Sequence, residues 1–103
     1  MTKEPDVLTV LFTDLVGSTS LLSALGDDAA DELRRAHFSL LRTAISAHHG
    51  REVKNLGDGL MVVFASSVDA VTCAIGIQQA VAGQGAEAFE VRVGLNVGEP
   101  IVD

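Results

Sequence analysis

Apolar residues along the chain change rhythm several times, and each change marks an element. Val7, Leu8, Val10, Leu11 and Phe12 form a run rich in β-branched and aromatic side chains, which predicts a buried strand with Asp14 at its carboxyl end. Leu21, Leu22 and Leu25 then recur at helical spacing until Gly26 interrupts them, predicting a short helix that opens near Gly17 or Ser18. A longer helix starts at Asp27 or Asp28. Its stripe is Leu33, Ala36, Leu40, Leu41, Ala44 and Ile45, with Glu32, Arg34, Arg35 and Arg42 off it and Gly50 as its stop. Residues 52–56 and 60–64 read as two short strands joined by Gly57-Asp58-Gly59, a hairpin pattern. Ser66 and Asp69 resemble a capping box, and Ala70, Val71, Ala74, Ile75, Gln78 and Val81 or Ala82 follow at helical intervals before Gly83-Gln84-Gly85. The last run, Phe89 to Val97, alternates as a strand expected in the middle of the sheet. The order β-α-α-β-β-α-β predicts an α+β, ferredoxin-like split βαβ sandwich with helices on one face.

Composition narrows the class. With 103 residues, 48% of them hydrophobic, the chain suits one domain, residues 1–103, with a modest core. No apolar run approaches the roughly 18 to 20 residues of a membrane span, and the first six residues lack the basic and apolar regions of a signal peptide. The expected location is therefore cytoplasmic, with no membrane segment. The single cysteine, Cys73, reads as a small core residue. A net charge of −7 and the absence of Trp and Tyr argue against a nucleic-acid partner, which needs clustered cations or stacking rings. His48 and His49 fall in a last helical turn, where they interact with the helix dipole more readily than with one shared cation. His37 reads as a helix-surface or core-edge residue rather than a catalytic base.

Candidate chemistry centres on Phe12-Thr13-Asp14-Leu15-Val16-Gly17-Ser18-Thr19 together with Gly57-Asp58-Gly59. Asp14 could hold a divalent cation while the small-residue loop of Gly17, Ser18 and Thr19 offers N–H groups and hydroxyls to phosphate oxygens. Each aspartate alone has an ordinary structural reading, Asp58 as a hairpin-turn residue and Asp14 as a helix cap. If the hairpin lies beside the first strand, both carboxylates reach one point at the sheet's rim, where a cation would relieve their repulsion. Two magnesium or manganese ions there would suit phosphoryl or nucleotidyl transfer. Lys54 reads as an exposed strand lysine on these grounds alone.

The segments Val10 to Thr19, Val53 to Met61 and Val91 to Pro100 resemble, in order, successive blocks of the class III nucleotide cyclase catalytic domain, and most closely its bacterial adenylyl cyclases of actinobacterial type. The resemblance implies that Asp14 and Asp58 are the metal-binding, catalytic aspartates. It further implies that the Leu15 carbonyl is an additional metal contact, that Gly17, Ser18 and Thr19 touch phosphates, and that Lys54 recognises the purine. Lysine at that position goes with adenine, whose N1 accepts a hydrogen bond that an ammonium can donate. The implied reaction is conversion of ATP to 3′,5′-cyclic AMP and pyrophosphate with two Mg2+ or Mn2+ ions. The implied assembly is a head-to-tail homodimer, or a pair with another cyclase domain.

The pattern also departs from the family. The chain stops at Asp103, before the family's second purine-recognition residue and its transition-state Asn and Arg, so it is expected to be the amino-terminal part of the domain. By itself it would supply the metal half of one site and Lys54 for another, and would lack activity. Asn96 stands where many relatives have histidine. An alternative class is a non-catalytic cyclase-homology module that binds nucleotide or a partner subunit. A diguanylate cyclase would explain the aspartates, but its characteristic Gly-Gly-Asp/Glu-Glu-Phe hairpin is missing.

Overall fold

In the computed structural model of the protein, residues 7–16, 23–84 and 90–98 are described. Four strands and two long helices follow in the order β1 (Leu8–Val16), α1 (Asp27–Ala47), β2 (Arg51–Asn55), β3 (Leu60–Phe64), α2 (Ser67–Ala82) and β4 (Glu90–Gly98). Ser23 to Leu25 are also helical, so the expected β-α-α-β-β-α-β order holds where it can be read. The antiparallel sheet runs β2-β3-β1-β4, the strand order of a ferredoxin-like split βαβ fold. Among the described strands β4 is thus at the edge rather than in the centre as expected, because β1 and β3 take the middle. Its alternation reflects one covered face, which an antiparallel edge strand shows as well as a central one.

Strand alternation sorts the side chains between two faces. Thr9, Leu11, Thr13 and Leu15 of β1 and Leu60, Val62 and Phe64 of β3 point toward the helices and are buried. Leu11, Leu60, Val62 and Phe64 meet Phe38, Leu41 and Ile45 of α1 and Ala70, Cys73, Ile77 and Val81 of α2 in one core. The helical stripes therefore differ from the expected ones: Ala36 of α1 and Val71 and Ile75 of α2 are exposed, whereas Phe38, Cys73 and Ile77 lie inside. α2 is apolar nearly all round, so its sequence periodicity marks the inward face poorly. Cys73 is the core residue expected, and burial pushes its thiol up to about 11. His37 is not at the surface but 2% exposed, set edge-on to Phe38 with ring centroids 5.9 Å apart, and desolvation lowers its pKa.

Helix ends follow from local chemistry. Ser66 Oγ accepts the Asp69 N–H at 3.2 Å, the cap expected at the start of α2. α1 closes on His48, whose N–H bonds the carbonyls of Ala44 and Ile45, and His49 Nδ1 lies 3.5 Å from Asp69 Oδ2 across to α2. Among the described residues no helix is long and apolar enough to cross a membrane.

Candidate active site at the sheet rim

The register between strands decides what can meet Asp14. β1 pairs with β3 from Thr9↔Phe64 to Phe12↔Met61 and with β4 from Leu8↔Gly98 to Val16↔Glu90. Continued past Phe12, the β1–β3 register sets Gly59 opposite Asp14 and Asp58 opposite Leu15. The Leu15 N–H does donate to the Asp58 carbonyl, at 3.1 Å. The hairpin turn therefore stays against β1 after the regular ladder ends, bringing the main chain of Asp58 next to that of Asp14. Both aspartates are exposed. Asp14 lies two residues inside the end of β1 rather than just past it, on the face away from the helices.

Three local features shape the turn that carries Asp58. Asn55 Oδ1 accepts the Gly57 N–H at 2.8 Å, and the Leu56 N–H donates to the Gly59 carbonyl at 2.8 Å, closing the loop on itself. Gly57 has φ 91°, a conformation that a side chain would strain. Gly59 approaches β1 so closely that an added Cβ would lie 1.7 Å from the Thr13 carbonyl oxygen. Sequence alone accounts for an Asp between glycines as a hairpin turn. The structure adds that the second glycine lets the turn dock on the neighbouring strand.

Both segments at this rim carry oxygen donors. A strand residue points its N–H and C=O to the same side, so the Leu15 carbonyl faces the hairpin, as its N–H does. The Asp14 and Asp58 carboxylates and this carbonyl are hard oxygen donors, the kind that suits Mg2+ or Mn2+ when waters and phosphates complete the shell. Among the described residues no three His, Cys, Asp or Glu side chains form a ready metal cluster. Among the described residues, the protein's share of any such site would be two carboxylates plus main chain. Gly17, Ser18 and Thr19 lie outside the described residues.

Two of the cations on the open face, Arg92 and Lys54, stand in different relations to Asp14. Arg92 is its direct partner on β4, so the two side chains start about 5 Å apart on one face. Nothing in the sequence singled out Arg92, because the Asp14↔Arg92 pairing joins positions at opposite ends of the chain. Lys54 lies opposite Met61 on edge strand β2, past an irregularity between Glu52 and Lys54. That irregularity settles its face. Lys54 shares the open face with Met61 and Phe12, while Glu52 turns to the helix side and pairs with Arg42 at 2.8 Å. Two strand spacings across and one alternate residue along put Lys54 roughly 12 Å from Asp14, too far to serve one small group together.

Comparison with known proteins agrees with this architecture. A family model described as the adenylate and guanylate cyclase catalytic domain matches residues 1–103. The putative adenylate cyclase 3 of Rhizobium meliloti (strain 1021) is 33% identical over 99 residues, which cover 91% of this chain and 17% of that protein. The crystal structure of the guanylyl cyclase Cya2 superposes with a TM-score of 0.79 at 27% identity, over 90% of this chain and 54% of that one. The adenylyl cyclase CyaB from P. aeruginosa superposes with a TM-score of 0.76 at 28% identity, over 89% and 56% of the two chains. The chain thus spans about half the length of these solved cyclase chains and a smaller share of the curated relative. With the whole of its length matched, the chain belongs to the class III adenylate and guanylate cyclase catalytic domain family.

Proposed function

We propose that this chain is the metal-bearing part of an adenylyl cyclase domain that converts ATP to 3′,5′-cyclic AMP and pyrophosphate. The observation that carries the reading is the Leu15 N–H to Asp58 carbonyl bond, which holds the Asp58 turn against the strand that bears Asp14. Asp14, Asp58 and the Leu15 carbonyl would hold two Mg2+ or Mn2+ ions. When bound, such ions neutralise a triphosphate and make a hydroxyl more acidic. The ribose 3′-oxygen forms a bond to the α-phosphorus, the bond from that phosphorus to the β-phosphate bridging oxygen breaks, and the hydroxyl proton passes to solvent as pyrophosphate leaves.

Other residues take the parts their positions allow. Arg92, beside Asp14, would meet phosphate charge at the same rim, together with the Gly17, Ser18 and Thr19 loop. Lys54 would donate to adenine N1, and its separation from Asp14 fits service to the site of a second protomer. A head-to-tail pair of cyclase domains provides that arrangement. The transition-state groups would come from a part of the domain outside this sequence.

The test is a domain completed with the carboxyl-terminal part of CyaB, assayed by chromatography for cyclic nucleotide from ATP and from GTP with Mn2+. Cyclic AMP should form, and Asp14→Asn or Asp58→Asn should each lower the rate at least about 100-fold. Full activity in either variant would remove that residue from the mechanism. A second reading, a non-catalytic module that binds a partner, draws on the exposed apolar Leu95 and Val97 of edge strand β4. Self-association of the chain without any nucleotide binding would favour it.

A further inference from the structure

We propose that Thr13 is a positioning residue of the site, whose hydroxyl locks the turn carrying Asp58 to the strand carrying Asp14. The inference rests on the metal-site reading above and adds to it a residue that touches neither metal nor substrate. The regular ladder between β1 and β3 ends at Phe12↔Met61, one step short of Thr13. At that step the Leu60 N–H donates to Thr13 Oγ1 at 2.9 Å, and both residues are fully buried. A side-chain oxygen thus accepts the bond that a main-chain carbonyl would take in an unbroken ladder.

The carbonyl of Thr13 is occupied differently. Gly59 packs against it, leaving no room for a Cβ. One step further along, the Leu15 N–H reaches the Asp58 carbonyl. Thr13 therefore grips both ends of the turn's last segment, Leu60 through its hydroxyl and Gly59 through its main chain. Its side chain points into the core, whereas that of Asp14 points to the open face, so Thr13 acts only by fixing where the two carboxylates stand. Valine has nearly the same shape and no acceptor, which would leave a buried N–H unpaired and the turn free to back away. Serine keeps the acceptor.

Two measurements on the 103-residue chain decide the matter. In amide hydrogen exchange without metal, Thr13→Val should lower the protection of the Leu15 and Leu60 amides at least about tenfold beyond any global loss, and Thr13→Ser should stay within about threefold. In Mn2+ titrations followed by the electron paramagnetic resonance of free Mn2+, Thr13→Val should weaken binding about 10- to 100-fold, and Thr13→Ser should restore it. Thr9→Val is the control. Thr9 Oγ1 shares a 2.8 Å hydrogen bond with Ser67 Oγ on the same buried face of β1, at the end away from the site. Its loss should reduce stability and leave Mn2+ affinity unchanged. Unchanged Leu15 protection in Thr13→Val, or equal loss of Mn2+ affinity in Thr9→Val, would overturn the proposal. Asp14→Asn and Asp58→Asn that bind Mn2+ like the parent chain would instead overturn the metal reading, with the exchange data still reporting whether Thr13 holds the turn.

Discussion

Replacing Gly59 with alanine tests how the site is assembled. The added methyl would sit 1.7 Å from the Thr13 carbonyl oxygen and 2.6 Å from its carbon, so main chain rather than a pliable side chain must yield. As the turn moves off β1, two bonds are at risk: the 3.1 Å bond from Leu15 to Asp58 and the 2.9 Å bond from Leu60 to Thr13. Leu15 and Leu60 are 6% and 0% exposed, so water does not readily replace the lost partners. An unpaired buried donor costs about 1–3 kcal/mol. Replacing glycine returns about 0.4–1 kcal/mol through the unfolded chain. With both bonds lost the net cost should be about 1–5 kcal/mol, which in a domain of this size lowers Tm by roughly 5–40 °C. Thermal unfolding followed by far-ultraviolet circular dichroism measures it. Gly57→Ala is the comparison, since nothing lies within 4 Å of a Cβ there and only its φ of 91° resists substitution, at about 1–2 kcal/mol. A Tm loss for Gly59→Ala no greater than for Gly57→Ala would refute the argument from close approach.

Three further outcomes follow from the same structure. Desolvation lowers the pKa of buried His37 below 6.5, so folding favours its neutral form: stability should be level above that pH and decline below it, by at most about 1.4 kcal/mol per pH unit, as urea midpoints between pH 7.5 and 5 would show. A His37→Leu variant should lose that acid slope. The Arg42 hydrogen bond lowers the Glu52 pKa, so this pair stabilises above pH 4.5 and its effect fades as pH falls through the folded value; because both partners are partly exposed, Glu52→Gln should cost less than about 1 kcal/mol at pH 7 and still less in high salt. In the completed domain, Lys54→Glu should shift preference from ATP toward GTP, read as the ratio of kcat/KM values, since a carboxylate accepts from the guanine N1–H and cannot donate to adenine N1.

How much was legible in the sequence depended on how local each signal was. The β1 run, the Ser66 cap and the Gly57-Asp58-Gly59 turn depend on neighbours within a few residues, and each appeared where expected, although β1 runs on to Val16, four residues past the apolar run, because pairing with β4 extends it. The core stripes were less legible. Val71 and Ile75 are as apolar as Ile77, and only the placement of α2 over β1 and β4 decides which of them is covered. Sheet order was less legible still, because β4 alternates as a central strand would, and its edge position is set by pairing across the whole chain. The two aspartates could be named from the sequence, but the approach of their main-chain segments depends on the β1–β3 register. The pairing of Arg92 with Asp14 and the bond from Leu60 to the Thr13 hydroxyl were invisible for the same reason: each joins residues far apart in sequence.

If Asp14 and Asp58 form one metal site that receives ATP, nucleotide binding must depend on both metal and carboxylate. Calorimetric titration of the chain with ATP, with Mn2+ and then with excess chelator, reads this when repeated on Asp58→Asn. Binding that requires Mn2+ and weakens at least about tenfold in Asp58→Asn is the predicted result. ATP binding that persists in chelator, or that is unchanged in Asp58→Asn, would contradict the claim.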